Sequence, residues 1–242
     1  MAALSLRLNP ALKARDYRDA FSRDGFVQVP NLFEPDLARG LAEMLERSMP
    51  WDLALSTADN GYEVLNRAEL SAIGSEAVGS RLQAVSERAS KGFGFVYLAY
   101  PMISAVLKGR DPSHPIHALT HWINSREFLD FGQEIIGTED VIKADAQATL
   151  YRPGDFLTLH DDEKPGADRR AAYTMGFTRQ WRPDWGGQLL FHEKDGTIRR
   201  GHLPNFNSMN LFKVPQDHSV APVAPYATAP RLSVVGWLRG GT

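Results

Sequence analysis

A histidine and two carboxylates at the end of one short hydrophobic run are the residues best placed to do chemistry in this chain. Tyr151 to Asp162 reads Y-R-P-G-D-F-L-T-L-H-D-D. Pro153-Gly154 is a turn dipeptide, in which Pro presets φ and Gly is free to take a positive φ. Phe156, Leu157 and Leu159 then make an apolar run of strand length. The run ends in His160, Asp161 and Asp162. On an extended chain residues i and i+2 share a face. His160 and Asp162 are therefore expected to converge while Asp161 points away. An imidazole and a carboxylate aimed at one point are two of the three ligands of the two-histidine, one-carboxylate site that binds non-haem Fe(II).

A short H-x-D pattern also arises by chance, so it needs a third ligand and a structural context. His192, His202 and His218 lie downstream. His218 opens an apolar run 58 residues beyond His160. In an eight-stranded jelly roll the second and seventh strands lie side by side at the barrel mouth, so His218 is the expected partner. His192, just before a hairpin turn, and His202, beyond that turn, are the alternatives. Thirteen residues past His218 comes Arg231, which by alternation shares a face with Ser233 and Val235. An arginine turned into a barrel is costly unless an anion meets it. Its planar fork suits a carboxylate, and Ser233 can add a hydroxyl. A metal beside a buried carboxylate receptor is what 2-oxoglutarate requires.

The elements that must position these residues follow from periodicity. Arg15 to Arg23 is predicted helical, with Tyr17, Ala20 and Phe21 on one face and Gly25 as its stop. Phe26 to Pro30 is a short strand. A second helix starts near Glu34-Pro35-Asp36, with Leu37, Leu41, Met44 and Leu45 as its buried stripe. Trp51 to Leu53 reads as extended, Arg81 to Ser90 as helix, and Gly92 to Tyr97 as strand or loop. Leu119 to Ile136 reads as one helix closed by Gly137. Eight short candidate strands then follow: 142–151, 156–160, 171–177, 188–192, 197–201, 208–214, 218–223 and 231–237. Glu193-Lys194-Asp195-Gly196 predicts a hairpin with a type I′ turn. This pattern predicts an α+β chain with a mainly β core: a double-stranded β-helix, or jelly roll, with the N-terminal helices packed on one face. One domain over 1–242 is expected, with 1–140 as helical support and opening strand and 141–240 as the β-helix core.

Composition narrows the classes. The chain has 242 residues, 43% hydrophobic and 23% charged, with net charge −2 and no cysteine. That balance gives no reason to expect a nucleic-acid or membrane partner. The missing cysteines remove disulfides, thiolate metal sites and a Cys nucleophile. The N-terminal stretch M-A-A-L-S-L-R-L-N-P lacks the apolar core of a signal peptide, and a cytoplasmic location is expected.

Four motifs together carry a resemblance: H-D-D (160–162), W-G-G-Q-L-L-F (185–191), D-H-S-V-A-P-V (217–223) and P-R-L-S-V-V-G-W-L-R (230–239). Over about 140–240 the chain resembles the Fe(II)/2-oxoglutarate-dependent dioxygenases, and within them the prolyl 4-hydroxylase branch. D-G-F-V-Q-V-P-N-L-F (24–33) is similar to the opening strand of small bacterial members. The resemblance implies iron bound by His160, Asp162 and His218, with 2-oxoglutarate held at its far carboxylate by Arg231. Tyr151 and Ser233 match residues that line the co-substrate pocket. It also implies O2 as oxidant, ascorbate as reductant, and decarboxylation of 2-oxoglutarate to succinate and CO2 coupled to hydroxylation of an unactivated C–H bond. One departure stands out. The branch often carries a hydroxylated aromatic on the strand that here offers Tyr173, Thr174 and Met175.

The candidate substrates are a prolyl residue of a peptide or protein, a free amino acid, or another small metabolite. The aromatic segment 93–100 and the loop 163–169 are expected to wall the mouth, the loop as a lid. A non-catalytic jelly-roll binding module and a cupin-like metalloenzyme are the competing classes; the complete ligand set and Arg231 argue against the first, and the second usually draws on more histidines and has no reason to bury Arg231. Plainer roles stand beside each residue. His160 and Asp162 could be a structural ion pair, Arg231 could pair with a buried acid, and Tyr151 could be core. His117 and His121 read as surface or capping residues, Trp181 to Trp185 as a loop anchor. Arg169-Arg170 and Arg199-Arg200 read as solvated strand ends.

Overall fold

The computed structural model describes residues 5–59 and 61–241. Met1 to Leu4, the start of the stretch read as lacking a signal peptide, lie outside the described residues. In chain order the elements are α1 (Arg15–Asp24), β1 (Phe26–Pro30), α2 (Pro35–Arg47), β2 (Asp52–Ser56), β3 (Tyr62–Leu65) and α3 (Arg67–Ala89). Next come β4 (Phe95–Tyr100), α4 (Met102–Leu107), α5 (Ile116–Ile123), α6 (Arg126–Ile136), β5 (Val141–Ala144), β6 (Gln147–Tyr151), β7 (Phe156–His160) and β8 (Arg169–Phe177). The chain finishes with β9 (Leu189–His192), β10 (Ile198–His202), β11 (Phe206–Lys213), β12 (His218–Val220) and β13 (Arg231–Gly240). Among the described residues no helix is long and apolar enough to cross a membrane.

All the strands belong to one antiparallel sheet, in the order β1-β11-β8-β13-β6-β4-β7-β12-β9-β10 along its main path. The sheet curls until its two ends meet. Phe26 of β1 stacks on His202 of β10 with ring centroids 4.3 Å apart, and meets Phe191 of β9 edge-on at 5.2 Å. The expected jelly-roll core is borne out.

Alternation along each strand decides what faces the helices and what faces the interior. Val27, Val29, Ala148, Tyr173, Met175, Met209, Leu211, Leu232 and Val234 join the helix residues Leu41, Leu45, Leu119 and Phe128 in the main core. Their neighbours in sequence turn the other way. Gln28, Asn210, Thr174 and Val235 face the interior at one level, by the pairings Gln28↔Asn210, Asn210↔Thr174 and Thr174↔Val235. One step along, Ser233 lies opposite Thr149, and Arg231 opposite Tyr151.

The expectations at element level need five corrections. Leu119 to Ile136 is not one helix. The chain breaks at Asn124-Ser125, because the Asn124 amide pairs with β5 as a backbone would, donating to the Ala144 carbonyl (3.0 Å) and accepting from its N–H (2.9 Å). Residues 142–151 form two strands. The Asp145 carbonyl turns aside where Gly236 of β13 has no side chain; a Cβ there would lie 1.9 Å from that oxygen. The helix placed at 81–90 runs from Arg67 and is kinked at Gly74 (φ 78°). It begins at an Asn66/Glu69 capping box; Leu70, Ile73, Val78 and Leu82 pack beside the buried Val85, a half-buried stripe interrupted by the kink. It covers the β2–β3 hairpin and not the helical face of the main core. Finally, the 193–196 turn has positive φ at Gly196 only (86°). It is a type I turn closed by a left-handed glycine, and the type I′ form is overturned.

Candidate metal centre

β7 delivers His160 to its last position and β12 opens with His218, and the two are directly paired across the sheet. Their rings lie 4.0 Å apart, centroid to centroid. Each ring is oriented from behind. Nδ1 of His160 donates to the Thr158 carbonyl at 2.9 Å, and Nδ1 of His218 to the Gln216 carbonyl at 2.7 Å. With Nδ1 occupied, the lone pair of each imidazole sits on Nε2, the ligand tautomer. Both Nε2 atoms face Asp162: His160 Nε2 is 3.5 Å from Oδ1, and His218 Nε2 is 3.5 Å from Oδ2. The three ligand atoms all lie within 4.8 Å of one another.

The convergence of His160 and Asp162 occurs, but not by strand alternation. β7 ends at His160, and Asp162 sits in the left-handed region at φ 64°. Asp161 turns away as expected, its Oδ1 accepting from the Glu163 N–H at 2.9 Å. Burial, followed by the neighbouring His160, pushes His218 down to about 4. It is therefore neutral at ordinary pH, as a ligand must be.

The structure brings Arg231, Ser233 and Tyr151 together beyond this cluster on the interior face. Arg231 is 4% exposed. Among the described residues its only hydrogen bond runs from NH1 to Ser233 Oγ at 3.3 Å, and Nε is buried with no partner. Tyr151 lies under the guanidinium, 5.0 Å from ring centroid to Cζ. No carboxylate contributes to the charge environment of Arg231 among the described residues, so the reading as a paired structural cation fails. Ser233 Oγ is also hydrogen-bonded to Thr149 Oγ1 at 2.9 Å. Tyr151, Val220, Val223 and Ala227, with Trp181 and Trp185 packed beside them, close this end of the interior. Burial raises the Tyr151 hydroxyl well above its ordinary range and pushes Tyr97 up to about 12, so both stay protonated.

β8 settles the aromatic departure. Tyr173 and Met175 face the helices, where the Tyr173 hydroxyl donates to the Asp145 carbonyl at 2.6 Å. Thr174 faces the interior. The polar lining beside Arg231 therefore comes from Thr149 and Ser233. The other histidines are elsewhere. His192 Nε2 meets Ser219 Oγ at 2.8 Å, His202 stacks on Phe26, and His117 Nε2 reaches the Arg110 and Asp111 carbonyls.

Two neighbours of the cluster were not foreseen. Trp237 Nε1 donates to Asp162 Oδ2 at 2.9 Å. Continuing the 231, 233, 235 alternation by one step finds it. Arg169, expected at a solvated strand end, instead lies over the Trp237 ring at 3.6 Å and donates to the Asp162 carbonyl at 2.6 Å; nothing in its sequence context signals this. Phe93 approaches His160 at 5.9 Å and begins a run of aromatic contacts through Phe95 and Tyr97 to Tyr151. The loop after Asp162 is pinned at its far end, where Arg239 Nε donates to Ala167 O and Gly240 N to Asp168 O.

Residues 146–239 match the family model described as the 2OG-Fe(II) oxygenase superfamily. No curated protein matches the sequence. Among solved structures, a Pseudomonas putida prolyl-4-hydroxylase aligns over 95% of this chain and 100% of its own at 18% identity and TM-score 0.59. A Trichoplax adhaerens prolyl hydroxylase in complex with a hypoxia inducible factor peptide aligns over 94% and 89% at 14% identity and TM-score 0.62. An alpha ketoglutarate dependent epimerase of nogalamycin biosynthesis aligns over 93% and 81% at 11% identity and TM-score 0.55. At these identities the structures speak for the fold. Over residues 146–239 the family match bears out the resemblance at the level of the superfamily and, with it, the expectation of an oxygenase-type enzyme.

Proposed function

Taking the chain as a protein with a 2OG-Fe(II) oxygenase core over residues 146–239, we propose that it is an Fe(II)- and 2-oxoglutarate-dependent hydroxylase of an unactivated C–H bond, with a prolyl residue as its substrate. One observation carries the reading. A buried arginine without an acidic partner among the described residues shares the barrel interior with two histidines and a carboxylate whose free donor atoms converge.

The residues fit the groups they would hold. Both histidines are tied at Nδ1 and open at Nε2, and with Asp162 they make the donor set that suits non-haem Fe(II). Arg231 offers a planar fork to the far carboxylate of 2-oxoglutarate, with the Ser233 and Thr149 hydroxyls beside it. Tyr151, Val223 and Ala227 keep water from that ion pair. Fe(II) bound there supplies the oxidative chemistry that couples decarboxylation of 2-oxoglutarate to hydroxylation. Ascorbate as the reductant that keeps the iron ferrous belongs to the same reading, and omitting it from the assay tests it.

The aromatic run Phe93, Phe95 and Tyr97 supports a prolyl substrate, since it gives an apolar wall beside His160 for a pyrrolidine ring. The peptide bound by the Trichoplax adhaerens enzyme supports it by analogy of fold. The test is succinate formation from 2-oxoglutarate, with Fe(II) and O2, across prolyl peptides, free L-proline and other amino acids. Succinate stimulated by a prolyl peptide is the expected result. Stimulation by a free amino acid alone would replace the substrate class and keep the chemistry. Absence of 2-oxoglutarate binding under anaerobic Fe(II) would overturn the reading as a whole.

A further inference from the structure

The carboxylate of the cluster sits in an improbable conformation. A left-handed backbone is disfavoured for any residue with a Cβ, and Asp is among the few that tolerate it at all. At φ 64° Asp162 folds the chain back immediately after β7, which is what brings its side chain level with His160 and His218. Alternation would not have done this, because the strand has already ended. Something must hold the conformation, and must also choose which carboxylate oxygen is free.

Two side chains touch Asp162 in complementary ways. Arg169 NH1 donates to its backbone carbonyl at 2.6 Å and fixes the turn. Trp237 Nε1 donates to Oδ2 at 2.9 Å and fixes the carboxylate. The two also hold each other, with the guanidinium carbon 3.6 Å above the indole ring. The contacts form a closed loop of three residues from β7–β8, β8 and β13. The Arg169 side chain is 16% exposed, and among the described residues its Nε is buried without a partner. An arginine placed only to satisfy its own donors would not leave one orphaned in this way. Its nearest approach to the carboxylate itself, NH1 to Oδ1, is 3.9 Å. The direct bond goes to the backbone, so Oδ1 stays available on the side that faces His160 Nε2.

We infer that Arg169 and Trp237 are positioning residues that clamp Asp162 as a ligand through one oxygen, Arg169 by holding its left-handed backbone and Trp237 by occupying Oδ2. The inference rests on the reading of the cluster as a metal site. Partners behind a ligand of this kind typically govern metal affinity by about 10–100-fold. The clamp also explains why a tryptophan continues the arginine strand at Trp237, where an interior position would otherwise take any apolar side chain.

The test titrates Mn(II), and Fe(II) under anaerobic conditions, into the full chain and into Trp237→Phe, Arg169→Ala and Arg169→Lys. Melting of each metal-free protein is measured alongside. Trp237→Phe keeps a ring for Arg169 to stack on and removes only the N–H. It should lose about 10–100-fold in Mn(II) affinity while its metal-free melting stays near wild type. The visible spectrum of a Co(II)-loaded sample should change as well, since the released carboxylate is free to bind through both oxygens. Arg169→Ala should lose affinity by a similar factor. Arg169→Lys should recover part of it, because an ammonium can reach the carbonyl but has no plane to stack. Affinities of Trp237→Phe and Arg169→Ala within twofold of wild type would overturn the clamp and leave the metal reading standing. Affinity lost only in step with metal-free stability would make both residues structural and would also overturn it. A wild-type chain that binds neither metal would overturn the metal reading, and the clamp with it.

Discussion

Arg231 is the residue at which a structural and a functional role predict opposite signs. Among the described residues its buried guanidinium has no carboxylate near it, one hydrogen bond at 3.3 Å and an orphaned Nε. Burial alone lowers its pKa, yet a guanidinium stays protonated at any working pH. A buried cation without a partner opposes folding. Arg231→Met, apolar and of similar length, should therefore leave the ligand-free protein as stable as wild type or more so. Binding should respond the other way. If the far carboxylate of 2-oxoglutarate completes the ion pair, removing Arg231 leaves that carboxylate buried and unpaired. That should cost about 3–5 kcal/mol, or roughly two to four decades in Kd. Arg231→Lys keeps the charge, loses the fork, and should recover part of the affinity. Fe(II) affinity without co-substrate should stay near wild type, since Arg231 lies among Tyr151, Ser233 and Trp181 and not in the histidine cluster. The assay pairs an anaerobic 2-oxoglutarate titration of the Fe(II)-loaded proteins with urea unfolding of the ligand-free ones. Equal 2-oxoglutarate affinities, or an Arg231→Met protein several kcal/mol less stable than wild type, would refute the reasoning.

Other expectations follow from the same geometry. His160→Ala, Asp162→Ala and His218→Ala should each abolish 2-oxoglutarate turnover, while Asp161→Ala keeps substantial activity because its carboxylate caps the Glu163 N–H; succinate assays on the four variants check this, and a dead Asp161→Ala beside an active Asp162→Ala would reverse the assignment. Gly176→Ala should destabilise the fold by about 1–3 kcal/mol, since its Cβ would fall 1.9 Å from the Asn205 carbonyl, a backbone atom that cannot step aside; a shift in the urea midpoint measures it. The metal-free protein should lose stability as pH falls from about 6.5 towards about 4. His218 has a folded pKa of about 4 against an ordinary 6.5, so in that window the unfolded chain takes up a proton that the native one refuses. Stability from this group is complete above the window. His218→Gln should lose that part of the slope, and identical slopes in the two proteins would remove His218 as its source.

Much of this molecule is written in local pattern. The turn at Pro153-Gly154, the run to His160, the strand from Arg231 and the cap at Gly137 depend on residues within a few positions of one another, and they stand where periodicity puts them. The jelly-roll class follows for the same reason, since short alternating runs punctuated by Gly and Pro cannot bury one face except against each other. The inward set of β13 was also legible, because a period of two fixes Arg231, Ser233 and Val235 together. What the sequence could not give is whatever depends on a partner distant along the chain. Asn124 breaks a helical pattern because the Ala144 strand edge offers it backbone groups to pair with. Residues 142–151 divide because a carbonyl finds room at Gly236, some ninety positions on. Tyr173 turns to the helices and Thr174 to the interior because β11 and β13 set the register on either side. Asp162 reaches the histidines through a left-handed backbone that no strand pattern predicts. Arg169 and Trp237, which hold it there, stand on the adjacent strands β8 and β13 and reach the end of β7 only once the sheet has curled.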